Sequence, residues 1–293
     1  MYPIYLIYSI SPIYLPPSPM LRIQTLGGFR VWIDDGGIPA EIPPTAWTRE
    51  KALHLLHLLI TLRRKKPHKE QIVDTLWPDL DPETGDRDFR VALNALQNAL
   101  EPTRAPRTPS QYVIRSELNY SLNLAEIWLD VDEFEKHLAL ANNSDHGSRL
   151  SGGGALPHNA QAKSKPAGDN ETAHLQSAIA LYHGEYLPER RYDDWTSAER
   201  ERLHTLALSA MTRLAEILLP TNPLETLRLT RRVLELDPLW ENAYRIEMQA
   251  HLSTGNRPMA IRMYEKCKKV MMEEFGLEPL PETRQIYKKI LGN

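Results

Sequence analysis

The sequence predicts a mainly α chain with a small β component, in two domains. Residues 20–130 run sheet, three helices, hairpin. Residues 131–293 are helical nearly throughout. The third observation is length: 293 residues suffice for about two domains. Residues 1–19 read as a disordered extension. Residues 142–171 read as a flexible insert in the second domain.

The elements follow in order. "MYPIYLIYSISPIYLPPSP" has an apolar look, but it holds no Lys or Arg, and five prolines (3, 12, 16, 17 and 19) break any helix. It falls short of the ~20 apolar residues a membrane span needs, so it reads as a disordered extension. No other stretch is apolar enough to span a membrane. The expectation is a cytoplasmic protein with no membrane partner.

"LRIQTLGGFRVWI" alternates at Leu21, Ile23 and Thr25, breaks at Gly27 and Gly28, and alternates again at Phe29, Val31 and Ile33. With the turn signal "DDGG" behind it, this is a small antiparallel sheet. "TREKALHLLHLLITLRRKK" starts a helix at a Thr48 cap. "HKEQIVDTLW" gives a second, which stops before Pro78. "DRDFRVALNALQNAL" is the third, and "QYVIRSELNYSLNL" a hairpin turning near residues 117–119. A helix opens near Asp132, and the Gly/Ser/Asn/Pro-rich residues 142–171 show no apolar period. Six helical runs complete the chain, near 174–186, 195–219, 224–236, 241–253, 257–274 and 281–291. "ETLRLTRRVLELDP" and "RPMAIRMYEKCKKV" occupy matching places, with Ala260 lying 34 residues after Thr226. That is the period of a tetratricopeptide-like helix pair.

Net charge is -3, so any nucleic-acid binding must come from local patches. The single cysteine, Cys267, excludes an internal disulfide and a multi-Cys zinc site, and its helical run suits a buried thiol better than a nucleophile. His54 and His57 lack a third ligand nearby and read as core-edge residues. Gly152 to Gly154 lack the Lys-Ser/Thr of a phosphate loop. Trp195, Tyr244 and Tyr264 sit at helical spacing and read as core. No nucleophile elbow or carboxylate pair points to an enzyme, and no cofactor or metal is implied.

The stretch "DTLWPDLDPETGDRDFRVALNAL" allows two chemistries. Asp79, Asp81 and Glu83 alternate as calcium ligands do, but the sixth and twelfth places hold Thr84 and Arg90 where a calcium loop needs Gly and Glu. A solvated acidic turn is the better reading. On the third helix, Phe89, Leu93, Leu96 and Leu100 form a core stripe. Arg87, Arg90, Asn94 and Asn98 lie opposite, with Val91 and Gln97 at the margins and no carboxylate on that face before Glu101. Arg bonds guanine bidentately and Asn does the same for adenine. On the helix alone, a DNA-reading face and a solvated face are equally good readings. Context favours DNA: the preceding helix and short connection make a helix-turn-helix with an enlarged turn, and the following hairpin is placed as a wing. Arg104, Arg107 and Arg115 in the loop and wing, and Arg63, Arg64, Lys65, Lys66 and Lys69 between helices one and two, supply phosphate contacts.

"LGGFRVWID", "WTREKALHLLHLL", "VDTLWPDLDP", "FRVALNALQNAL" and "DVDEFE" resemble the N-terminal half of Streptomyces antibiotic regulatory protein-type activators. "ALYHGEYLPE", "ERERL", "LELDPLWENAYRIEMQAHLSTGNRPMAIRMYEKC" and "FGLEPLPETRQIY" resemble the bacterial transcriptional activator domain that follows it. The resemblance covers residues 21–291 apart from the insert. It implies an OmpR-type winged helix-turn-helix joined to a tetratricopeptide-like all-α domain, binding promoter direct repeats and recruiting RNA polymerase. It places the reading helix at residues 86–100, though Gln97 and Asn98 stand where the family usually carries more Arg. It turns the loop of Asp79, Asp81 and Glu83 toward polymerase. With no receiver domain ahead of the winged helix in this sequence, no phosphoacceptor Asp is expected. Double-stranded promoter DNA, polymerase and a second protomer on DNA are the implied partners. The alternative is a helical-repeat adaptor acting through protein contacts alone.

Overall fold

The computed structural model describes residues 21–34, 38–150 and 167–292, the side chains of 144–150 and 167–169 excepted. The extension read at residues 1–19 and the linker read at Gly152 to Gly154 lie outside them. The chain divides into two compact units. One holds residues 21–24 and Phe29–Leu129. The other holds Thr25–Gly28 and Asp130–Asn293.

In the first unit, β1 (Leu21–Gln24) pairs antiparallel with β2 (Arg30–Ile33), which carries the short β3 (Ala40–Glu41) on its other edge. A strand not expected from the sequence, β6 (Ile127–Leu129), pairs parallel with β1. Leu21, Ile23, Val31, Ile127 and Leu129 are the buried alternation of this sheet. α1 (Glu50–Thr61) is buried almost all round from Leu55 to Ile60, which marks it as the central helix. It packs on α2 (Lys69–Leu76) and on α3 (Pro82–Leu100). Thr48 does not cap α1: Arg49 occupies the cap position, so Thr48 stands one residue too early to reach the first-turn amides. β4 (Val113–Ser116) and β5 (Asn119–Leu122) form the expected hairpin.

In the second unit, α4 (Asp130–Leu150) and α5 (Ala167–Leu181) pack together, with Phe134 and Tyr182 rings 6.0 Å apart. Both helices run into the stretch read as an insert. A helix already nucleated by Val131, Phe134, Leu138 and Ala141 propagates through Asn and Ser at only tenths of a kcal/mol each. The buried Asp130 carboxylate accepts from the amides of Thr25 (2.7 Å), Leu26 (2.8 Å) and Val131 (2.8 Å), and from the Thr25 hydroxyl (2.7 Å). That holds the Thr25–Gly28 loop to the start of α4.

α6 (Asp194–Leu218), α7 (Pro223–Leu236), α8 (Glu241–Ser253) and α9 (Arg257–Phe275) stack in sequence, and α10 (Pro281–Leu291) lies on α8 and α9. Thr226 and Ala260 are fully buried where helices touch. Asn222 and Asn256, also 34 residues apart, each cap a helix by accepting the amide three residues on. Met248, Ala260, Tyr264 and Ile290 form a core, with Tyr287 stacked on Tyr264 at 3.8 Å. Tyr244 is buried and Trp195 half-buried. Cys267 is buried too, and burial pushes its thiol up to about 12. Among the described residues no helix is long and apolar enough to cross a membrane.

Candidate nucleic-acid interface

α3 starts earlier than its apolar period suggests. Asp81 is its cap, accepting from the amides of Thr84 (3.0 Å) and Glu83 (3.1 Å), with Pro82 opening the first turn. These bonds, Thr84's first, hold the Asp81 carboxyl below its ordinary range. Four more residues thus join the helix, and the acidic connection shrinks to Pro78, Asp79 and Leu80, all exposed. Gly85 lets α3 approach α2, since a Cβ there would lie 2.6 Å from Val73 Cγ1. Phe89, Ala92, Leu96, Ala99 and Leu100 form the buried face, while Leu93 is only half-buried.

On the other face Arg87, Arg90, Val91, Asn94 and Asn98 are all exposed. The hairpin is tied beside them. The Lys69 amide donates to Leu118 O (2.8 Å), the Tyr120 amide donates to Pro67 O (3.0 Å), and the Tyr120 ring meets Phe89 edge-on at 4.9 Å. Its turn passes through Glu117 at φ +58°, whose carbonyl accepts from Arg115 Nε at 2.8 Å. Arg90, Asn94 and Gln97 of α3, Arg115 and Leu118 of the hairpin, and Lys69 of α2 consequently line one hollow.

Several side chains depart from the sequence reading. A carboxylate does serve the reading face: Asp86, one turn before Arg90, bonds the Arg90 guanidinium through one oxygen and Lys69 Nζ through the other. The Lys69 hydrogen bond first, and then the charges of Lys69 and Arg90, hold its carboxyl below the ordinary range. The i, i+4 spacing of Asp86 and Arg90 was visible in the sequence; the reach of Lys69 from another helix was not. Arg104 turns inward, donating to Thr108 O and to Gln97 Oε1 (3.2 Å), and it closes the loop after α3. Arg63 is buried and donates to Ile60 O, so it is not placed for phosphate. Arg64, Lys65, Lys66, Arg107 and Arg115 are exposed. Asp79 and Glu83 are exposed as well, whereas Asp81 is occupied as the cap. His57 is buried edge-on to Phe29, and His54 lies 3.1 Å from Glu50.

Three comparisons bear on this arrangement. Residues 155–291 match the family model of the bacterial transcriptional activator domain. Over 277 residues the chain is 24% identical to the regulatory protein AfsR of Streptomyces coelicolor, which covers 94% of this chain and 24% of AfsR. The chain therefore spans about a quarter of that relative's length. A solved structure of Mycobacterium tuberculosis EmbR, in complex with a low affinity phosphopeptide, matches with a TM-score of 0.71 at 17% identity. That match covers 94% of this chain and 66% of EmbR. At that identity the likeness is one of fold, and it agrees with a winged helix-turn-helix followed by an all-α, tetratricopeptide-like part.

Proposed function

We propose that this chain, whose residues 155–291 match the bacterial transcriptional activator domain, is a transcriptional regulator of the Streptomyces antibiotic regulatory protein type that binds promoter DNA through α3 and the β4–β5 wing and activates by recruiting RNA polymerase. The observation that carries this reading is the hollow shared by Arg90, Asn94 and Arg115. α3 is long enough to lie in a major groove, and its exposed face offers the side chains that bond guanine and adenine edges. Arg115 on the wing, with Arg107 and the exposed Arg64, Lys65 and Lys66, is placed for phosphate, which positions without reading. Arg87, Val91 and Asn98 extend the reading face. Asp79 and Glu83 are negative and exposed, which suits a protein partner such as polymerase better than phosphate. The helical unit exposes Phe275, Leu277 and Leu280, apolar side chains suited to a second protomer or polymerase.

Reading and anchoring separate in a salt titration on cognate and random duplexes. Arg90→Ala should cost about 1–3 kcal/mol on the cognate duplex and much less on random DNA. Arg115→Ala should weaken both similarly and flatten the log-affinity against log-salt slope by about 0.9, one phosphate contact. If Arg90→Ala weakens both duplexes equally and Arg115→Ala changes neither affinity nor slope, the reading face is wrongly placed.

A further inference from the structure

We infer that Asp86 is a specificity-determining residue: by bonding Arg90 and Lys69 together, it keeps Arg90 a reader of base edges and stops it serving as a phosphate anchor. The inference rests on the DNA-binding reading above. Arg90 is long and its side chain is 73% exposed. Left alone, such a cation would sample many rotamers and meet phosphate first, because phosphates line both edges of the groove. Asp86 alters both tendencies. Its carboxylate is only 21% exposed and is paired on the far side with Lys69, the first residue of α2, whose backbone amide is tied to Leu118 O of the hairpin turn. It binds one end of Arg90, so the rotamer is set before DNA arrives and less side-chain entropy is lost on contact. The guanidinium has five N–H donors, so one bond to Asp86 leaves its fork for guanine O6 and N7.

The charge matters as much as the geometry. Two cations and one carboxylate leave a net charge of about +1 where two would otherwise face the groove. The carboxylate also repels any phosphate that approaches Arg90, a repulsive element that lowers affinity for wrong DNA more than for the right sequence. Base edges carry no net charge and suffer this repulsion far less. A cytosine amino group would even be accepted by Asp86.

The experiment measures binding of the full chain to a selected cognate duplex and to a random duplex across a salt series, for wild type, Asp86→Asn and Lys69→Met. Asn keeps the shape and one acceptor but loses the charge, which frees both cations. Asp86→Asn should bind random DNA about tenfold more tightly, steepen the salt slope by about 0.9 for each cation released to phosphate, and cut the cognate-to-random ratio about tenfold or more. Lys69→Met leaves Asp86 to Arg90 alone. It should weaken random binding without flattening the preference for cognate DNA, an opposite response that loss of folding does not give. Parallel weakening on both duplexes by Asp86→Asn, with the slope unchanged, overturns the inference while leaving the DNA-binding reading intact. A wild-type protein that prefers no duplex overturns that reading, and this inference with it.

Discussion

A methyl group at residue 85 would sit 2.6 Å from Val73 Cγ1, closer than carbon atoms approach without something moving. Val73 is β-branched and nearly buried, so it cannot swing aside cheaply. Gly85→Ala should therefore cost about 1–3 kcal/mol by overpacking, more than the roughly 1 kcal/mol that alanine gains over glycine in a helix. In a Val73→Ala background the clash is gone and the same substitution should raise the melting temperature. Thermal denaturation of the four proteins checks this; a fall in both backgrounds would mean that Gly85 serves something other than the α2–α3 crossing. At this scale the exposed face of α3 was legible, because 3.6-residue spacing sorts Arg87, Arg90, Asn94 and Asn98 from Phe89 and Leu96. The partners of Arg104, Arg63 and Lys69 were not. Each is set by a carbonyl or carboxylate that the fold brings near, and charge in a sequence does not say where a long side chain ends.

Among the elements, α3 owes its start to Asp81, and that complicates any test of the acidic loop. Asp81→Ala removes the cap along with the charge, and should lower melting temperature, DNA affinity and transcription together. Asn caps as well as Asp, so Asp79→Ala with Asp81→Asn should keep stability and promoter affinity while lowering transcription. Equal loss of affinity and transcription in that double variant would remove the loop from polymerase contact. The sign with pH follows from the depressed Asp81 carboxyl: its stabilisation is present above the unfolded value of 3.8 and is lost as pH falls through the folded one. The gap in melting temperature between wild type and Asp81→Ala should therefore shrink in acid. The long helices were legible from period and punctuation, with α8 and α10 placed to the residue. β6 was not, since three residues that pair in parallel with a strand about a hundred positions earlier leave no local signal. The first turn of α3 was missed because "PDLDPETG" carries no apolar period, although Asp-Pro is a readable start.

Across the whole molecule, the order sheet, three helices, hairpin, helical array was readable because each part has its own period. The 34-residue repeat was visible in Thr226 and Ala260, and the capping residues Asn222 and Asn256 carry it again. The proposed DNA binding implies a relation between copies: winged helices on direct repeats would recur about one duplex turn, roughly 10–11 bp, apart. Base reading by the exposed face of α3 is checked by selecting binding sites from random duplexes with the wild-type chain and with Asn94→Ala. Wild type should return a short element repeated in one orientation about a turn apart. Asn94→Ala should return the same repeats relaxed at one base pair in each, where adenine was preferred, a loss of about 1–3 kcal/mol of discrimination. An Asn94→Ala selection with every position as sharp as before, or a wild-type selection with no shared element, would contradict it.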